Sequence, residues 1–260
     1  MSGVVDMEKM VEVRKVTKEY GGVGNSYRAL QEVDLDINKG EFVGIMGPSG
    51  SGKTTLLHIM STIDQATSGK VLLDNEDITL IREQQLAKFR RDVIGFVFQA
   101  FHLLDNMTIR DNIALPLTLN NEKIEVIFEK MNKLTNLLGI SEQLDKYPYE
   151  LSGGQKQRVA ICRALITSPK VIFADEPTGS LDSKSSSEVL DCFKSVNKTL
   201  GTTIIMVTHD ALAASFCDRV MFLKDGKIHG RLDSNGNKRE LFTKVLNMLA
   251  VMGGKDHEFL

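Results

Sequence analysis

The sequence predicts an α/β fold with an N-terminal antiparallel β subdomain, a core of buried parallel strands and an inserted helical subdomain. Three observations carry that expectation. Val33-Asp34-Leu35-Asp36-Ile37 alternates apolar and charged residues, the two-residue period of a strand with one wet face. Residues 41–46, 170–174 and 203–207 are short, nearly continuous apolar runs, which suit parallel strands covered by helices on both faces. Between these runs, apolar residues recur at steps of three and four, the helical period.

In chain order, the alternating strand comes first, then the buried run 41–46, a glycine-rich loop and a helix through Leu56, Leu57, Met60 and Ile63. Ile127, Phe128, Met131, Leu134, Leu137 and Leu138 form a second helical face, with Gly139 placed to stop it. A further helix opens near Ser152, a good N-cap, and is expected to run until Pro169 ends it. Val189, Leu190, Phe193 and Val196 repeat the helical pattern before Gly201. Residues 222–228 read as a hairpin turning at Asp225-Gly226. Leu241, Val245, Met248, Leu249 and Met252 form an amphipathic C-terminal stretch that either packs on its own domain or serves a dimer. The organisation expected is one domain over residues 10–260. Its helical subdomain lies at about 95–168 and its C-terminal extension at about 231–260.

Composition removes several classes. The 260 residues are 42% apolar and 25% charged, the usage of an ordinary globular protein. No uncharged apolar run approaches the roughly 20 residues of a membrane helix. The first residues carry Asp6 and Glu8 and predict no export signal. Cys162, Cys192 and Cys217 are odd in number and widely spaced, so reduced core thiols of a cytoplasmic protein are expected, neither a disulfide framework nor a zinc site. A net charge of −2 gives no electrostatic argument for nucleic acid. No repeat period is visible.

The loop after the first buried run carries the chemistry. Gly47-Pro48-Ser49-Gly50-Ser51-Gly52-Lys53-Thr54 matches G-x-x-x-x-G-K-[ST] between a strand and a helix, the context the motif requires. Glycines let the backbone curl so that successive amides point at phosphate oxygens. The helix that follows adds unsatisfied N–H groups and the positive end of its dipole. Lys53 supplies a mobile charge for the β- and γ-phosphates, the Thr54 hydroxyl reaches the magnesium shell, and Thr55 is a further nucleotide-binding candidate. A nucleoside triphosphate is the expected ligand. Asp175-Glu176 ends the run 171–174, where ligands gather in open parallel sheets. Asp175 is suited to hold magnesium through water and Glu176 to orient or deprotonate attacking water.

At Leu151-Ser152-Gly153-Gly154-Gln155, with the loop upstream and residues 171–176 downstream, the chain resembles the nucleotide-binding subunit of an ATP-binding-cassette transporter. The resemblance extends from about residue 11 to 230, nearly the whole chain. It implies the P-loop cassette fold, with ATP and Mg2+ as cofactors. Tyr20 falls where the family stacks an aromatic on adenine, and Gln99 matches the loop glutamine that reaches magnesium and senses the γ-phosphate. Asp182, in Ser180-Leu181-Asp182, resembles the residue that communicates across the dimer, and His209 the switch histidine after a strand expected at 203–208. Ser152, Gly153, Gly154 and Gln155 would act in trans, closing on nucleotide held by a second copy. Glu176 is then the general base, His209 steadies the γ-phosphate and Lys53 neutralises developing charge.

Outside those motifs the chain is most similar to the bacitracin-type peptide-resistance group, related to lipoprotein-release, macrolide-efflux and cell-division cassettes. Phe89-Arg90-Arg91, residues 95–99, Leu103-Leu104-Asp105, Asp145-Lys146-Tyr147-Pro148 and residues 213–219 carry this likeness, as does the tail with Gly253-Gly254 and His257-Glu258. The group implies a multi-span permease, a place at the cytoplasmic face of the membrane, and a sensor kinase reached through the permease. Phe96, Phe98, Phe101, Leu103 and Leu104 are candidates for the permease groove or for the subdomain's own core. A soluble cassette acting on DNA or ribosomes fits less well, because only 99 positions separate Lys53 from Ser152 and no heptad run fills them.

Overall fold

The computed structural model describes residues 8–22 and 24–253; Asp6, Gly254, His257 and Glu258 lie outside the described residues. The chain forms two compact units, one from residues up to Arg82 and from Val207 onward, the other from Glu83–Met206.

The first unit opens with β1 (Lys9–Gly22) and β2 (Asn25–Asn38), a long antiparallel pair. Val33, Leu35 and Ile37 are buried while Asp34 is exposed, so the predicted alternation is the actual face choice. β3 (Phe42–Met46) is buried at every position and leads through the glycine loop into α1 (Lys53–Met60). β4 (Ser68–Leu73) and β5 (Glu76–Asp77) complete an antiparallel sheet of order β2-β1-β4-β5.

The second unit begins with α2 (Glu83–Val93), a polar helix that buries only Leu86. β6 (Ile94–Phe98) follows and pairs in parallel with a later strand, so residues 94–98 are sheet, not the first turn of a helical insertion. Phe96 and Phe98 stack on each other at 4.1 Å between centroids. The helical part proper consists of α3 (Ile109–Leu119), α4 (Ile124–Leu138) and α5 (Gly153–Leu165). Gly139 caps α4 in the left-handed conformation, as the sequence predicts. α5 stops at Leu165, before Pro169, and Ser168 at φ 59° turns the chain instead. β7 (Val171–Asp175), α6 (Ser183–Leu200) and β8 (Thr203–Val207) then complete the unit's alternating α/β pattern. β8 ends one residue earlier than predicted.

Back in the first unit, α7 (Ala211–Ala214) precedes β9 (Arg219–Lys224), which lies parallel to β3, and β10 (Lys227–Asp233), its hairpin partner. Asp225 and Gly226 both have positive φ, as a two-residue hairpin turn demands. α8 (Lys238–Gly253) buries Leu241, Val245 and Met252 and packs on α7 and β10. Three of the five stripe residues are thus core of their own unit, while Met248 and Leu249 are only partly covered. Lys238 Nζ sits 3.1 Å from the centroid of the Phe216 ring, and Lys224 Nζ donates to Met252 O at 3.1 Å, tying both ends of the helix down. None of the three cysteines is in a disulfide; Cys162 and Cys217 are buried, and burial pushes the Cys162 thiol up to about 12. No described helix is long and apolar enough to cross a membrane.

Candidate nucleotide site

In the first unit the loop between β3 and α1 is shaped by close packing. Gly47 has φ 153°, and a Cβ there would stand 1.9 Å from Leu223 O on β9, so no other residue fits. Gly226 N–H donates to Ser51 O at 3.1 Å, and Tyr27 Oη donates to Gly50 O at 3.1 Å, holding the loop from both sides. Ser51 Oγ is buried without a hydrogen-bond partner. Lys53, the first residue of α1, is buried, and its ammonium donates to Gly47 O at 2.9 Å and Pro48 O at 2.8 Å. The charge is thus folded back onto two carbonyls of its own loop. No acidic residue stands in the first turn of α1, so its dipole end is left positive for an anion.

Two other predicted residues belong to this unit. Thr208 N–H donates to Ile45 O at 3.2 Å, and Asp210 caps α7 by accepting from Leu212 N–H at 2.8 Å. His209, between these anchors, is exposed and stands beside the carboxyl end of β3, from which the glycine loop springs. Tyr20, near the end of β1, is 42% exposed and donates from its hydroxyl to Asp64 Oδ2 at 2.7 Å. Lys18 Nζ donates to Asp64 Oδ1 at 2.6 Å and lies 4.7 Å from the Tyr20 ring centroid. Burial alone would raise the Asp64 carboxyl, but the Lys18 and Tyr20 hydrogen bonds outweigh it and hold it below the usual range. Burial, and after it the bond to Asp64, raise the Tyr20 hydroxyl. The tyrosine ring is therefore held through its hydroxyl, with one ammonium over it.

The second unit gathers the remaining predicted residues. Asp175 ends β7 and pairs in register with Phe98, so Gln99 and Glu176 leave neighbouring strands at the same level. Glu176 has φ 46°, a left-handed conformation that a side-chain-bearing residue adopts only when its surroundings enforce it. Its carbonyl accepts from Gly179 N–H at 3.0 Å, closing a turn. Ser152 and Gln155 form a reciprocal cap on α5, with Ser152 Oγ accepting from Gln155 N–H at 3.3 Å and Gln155 Oε1 from Ser152 N–H at 2.9 Å. Gly154 is buried, and a Cβ there would meet Ser185 Cβ at 3.1 Å. Close approach of α5 to α6 is thus a packing reason for glycine at this position. Asp182 caps α6, accepting from Lys184 and Ser185 N–H at 3.0 Å and from Ser185 Oγ at 2.6 Å; the hydroxyl and amide of Ser185 hold its carboxyl below the usual range. Ser152–Gln155 and Asp182 are accordingly neighbours across the α5–α6 contact.

Tyr27, Lys18, Asp64 and the α5 side chains Gln157 and Arg163 support these residues without having been evident in the sequence. Each acts on backbone or on residues far away in the chain, and none stands in a recognisable spacing.

The sequence matches the family described as ABC transporter over residues 30–179. It is 46% identical to the ABC transporter ATP-binding protein YxdL of Bacillus subtilis, covering 97% of this chain and 98% of that one. It is 44% identical to the bacitracin export ATP-binding protein BceA of Halalkalibacterium halodurans, covering 96% and 99%. Among solved structures it is similar to a dimeric post-hydrolysis state of the cassette MJ0796 of Methanocaldococcus jannaschii bound to ADP and Pi. The TM-score there is 0.78 at 40% identity, covering 88% of this chain and 100% of that one.

Proposed function

The chain belongs to the ABC transporter family as an ATP-binding, ATP-hydrolysing cassette, and from that premise we propose that it energises a membrane permease conferring resistance to peptide antibiotics of the bacitracin type. The observation that carries the cargo class is the near end-to-end match to a bacitracin export protein, extending well beyond the catalytic motifs. The same reading places the cassette at the cytoplasmic face of the membrane, on a multi-span partner.

In this reading the amides of residues 47–54 and the start of α1 bind the β- and γ-phosphates, and Lys53 leaves its loop carbonyls to neutralise them. Glu176 is the general base and His209 steadies the γ-phosphate. Tyr20 stacks on adenine. Two copies meet head to tail, each closing Ser152–Gln155 over the nucleotide on the other, with Asp182 at the contact between them. Among the described residues no group of three or more His, Cys, Asp or Glu could hold a metal. Mg2+ keeps waters and phosphate oxygens and needs few protein ligands; Thr54, Gln99 and, through water, Asp175 would hold it. When bound it supplies positive charge to the phosphates.

Removing the Tyr20 ring is expected to weaken ATP binding only about 2- to 10-fold, the worth of one aromatic stack, with hydrolysis at saturating ATP retained. Equilibrium titration of Tyr20→Ala with a fluorescent ATP analogue checks this; complete loss of ATPase would place the ring elsewhere in the mechanism. Cargo is tested by expressing the chain together with a bacitracin-type permease in a bacitracin-sensitive host. Resistance that disappears with Glu176→Gln supports the assignment. Unchanged sensitivity, with an active ATPase, would move the cargo to a lipoprotein, a macrolide or a signalling output.

A further inference from the structure

Helix α5 reaches past the serine that opens it. Two of its side chains grip the segment carrying Gln99, one on each flank. Gln157, fully buried, donates from Nε2 to Phe98 O at 3.1 Å and to Pro177 O at 2.7 Å. Phe98 immediately precedes Gln99, and Pro177 immediately follows Glu176. Farther along the helix, the Arg163 guanidinium donates to Phe101 O at 2.9 Å and to His102 O at 2.5 Å.

The chain between these anchors is strained. Phe101 at φ 58° and His102 at φ 49° are consecutive left-handed residues, and His102 N–H bonds back to Ala100 O in a one-residue turn. Gln99 is confined as well: its Nε2 lies 2.8 Å from where a Cβ on Gly179 would stand, in the turn that Glu176 opens. Strain of this kind persists only where neighbours over-determine it, and here α5 supplies those neighbours. Gln157 also keeps its Oε1 buried without a hydrogen-bond partner. A residue kept merely to fill that volume would be apolar, since an unpaired buried carbonyl is unfavourable. Its two N–H donors are the reason for its presence.

We propose that Gln157 and Arg163 are positioning residues for hydrolysis, locking the Gln99 loop and the strained Glu176–Pro177 step to the helix that opens on Ser152. Displacement of that helix then displaces both loops together, so the state of the Ser152–Gln155 segment sets the position of Gln99 and of the base. This inference rests on the roles given to Gln99 and Glu176 above.

The test is a comparison of full-length variants by steady-state ATPase, equilibrium ATP affinity and thermal melting. Gln157→Glu keeps the shape and sets carboxylate oxygens against two carbonyls. Gln157→Met removes the donors together with the orphaned acceptor and keeps the volume. Both are expected to lower kcat about 10- to 100-fold, the cost of misplacing reacting groups, while ATP affinity stays within about twofold. Gln157→Met is expected to melt near the wild-type temperature. Arg163→Lys, which retains charge and donors, is expected to recover more kcat than Arg163→Met. Normal kcat in Gln157→Met, losses that only track the folded fraction, or lysine no better than methionine at 163 would each overturn the proposal. Ordinary turnover in Glu176→Gln is a different result, because it would remove the site reading and this inference with it.

Discussion

Glu176→Gln is expected to lower kcat by about 100-fold or more, with ATP affinity within about twofold of wild type. The amide keeps the size of the side chain and the left-handed backbone at φ 46°, so the turn closed by Gly179 N–H survives. What it loses is the ability to accept a proton from water, and general-base catalysis contributes about 10²–10⁴-fold. The Gly47–Lys53 loop, to which we assign phosphate binding, lies in the other unit, so binding should be unaffected. Single-turnover hydrolysis alongside equilibrium nucleotide binding separates the two quantities. Turnover near wild type would remove Glu176 from the chemistry and leave the strained backbone there unexplained.

Lys53→Ala has the opposite signature. Here ATP affinity is expected to fall by at least about 10- to 100-fold, because a charge-assisted contact to phosphate is worth about 1.5–3 kcal/mol. The wild-type ammonium is buried and already donates to Gly47 O and Pro48 O. Truncation therefore removes two internal bonds from the loop as well as the charge, and those carbonyls must be rehydrated. Lys53→Arg should not rescue, since a planar fork cannot replace a compact point charge inside the loop. Isothermal titration with ATP and with ADP resolves this: a loss confined to ATP would place Lys53 at the γ-phosphate alone, and unchanged affinity for both would contradict the phosphate-binding assignment.

The glycine loop between β3 and α1 was legible because the motif needs consecutive residues: glycines that permit inward amides, then a lysine and a hydroxyl at a helix start. The alternating strand through Val33, Leu35 and Ile37 was legible because one of its faces is wet, and the Asp225-Gly226 hairpin because two positive φ values admit few residues. β6 was harder. Gly95-Phe96-Val97-Phe98 is short and follows α2 directly, and the apolar stripe of α2 (Leu86, Phe89, Val93) runs up to the strand with no breaker between, so nothing in the local period marked where helix gave way to strand. The end of α5 was misplaced for a related reason: Pro169 is the visible breaker, yet the chain turns at Ser168 with a positive φ that sequence does not announce. Within the site, Gln157 and Arg163 were invisible because their partners are backbone carbonyls 20 to 62 residues away. No side-chain identity at those distant positions encodes the contact. Asp182 was legible as a residue of interest, while its capping of α6 required the turn that precedes it.

Nucleotide shared between two copies is the central claim, and sedimentation velocity of Glu176→Gln with and without ATP tests it most directly. A protein that sediments as one copy alone and as two with ATP, and that stays single when Ser152→Arg is added to the same chain, is the result predicted. ATP bound at normal affinity with no change in sedimentation, or pairing that survives Ser152→Arg, would contradict it.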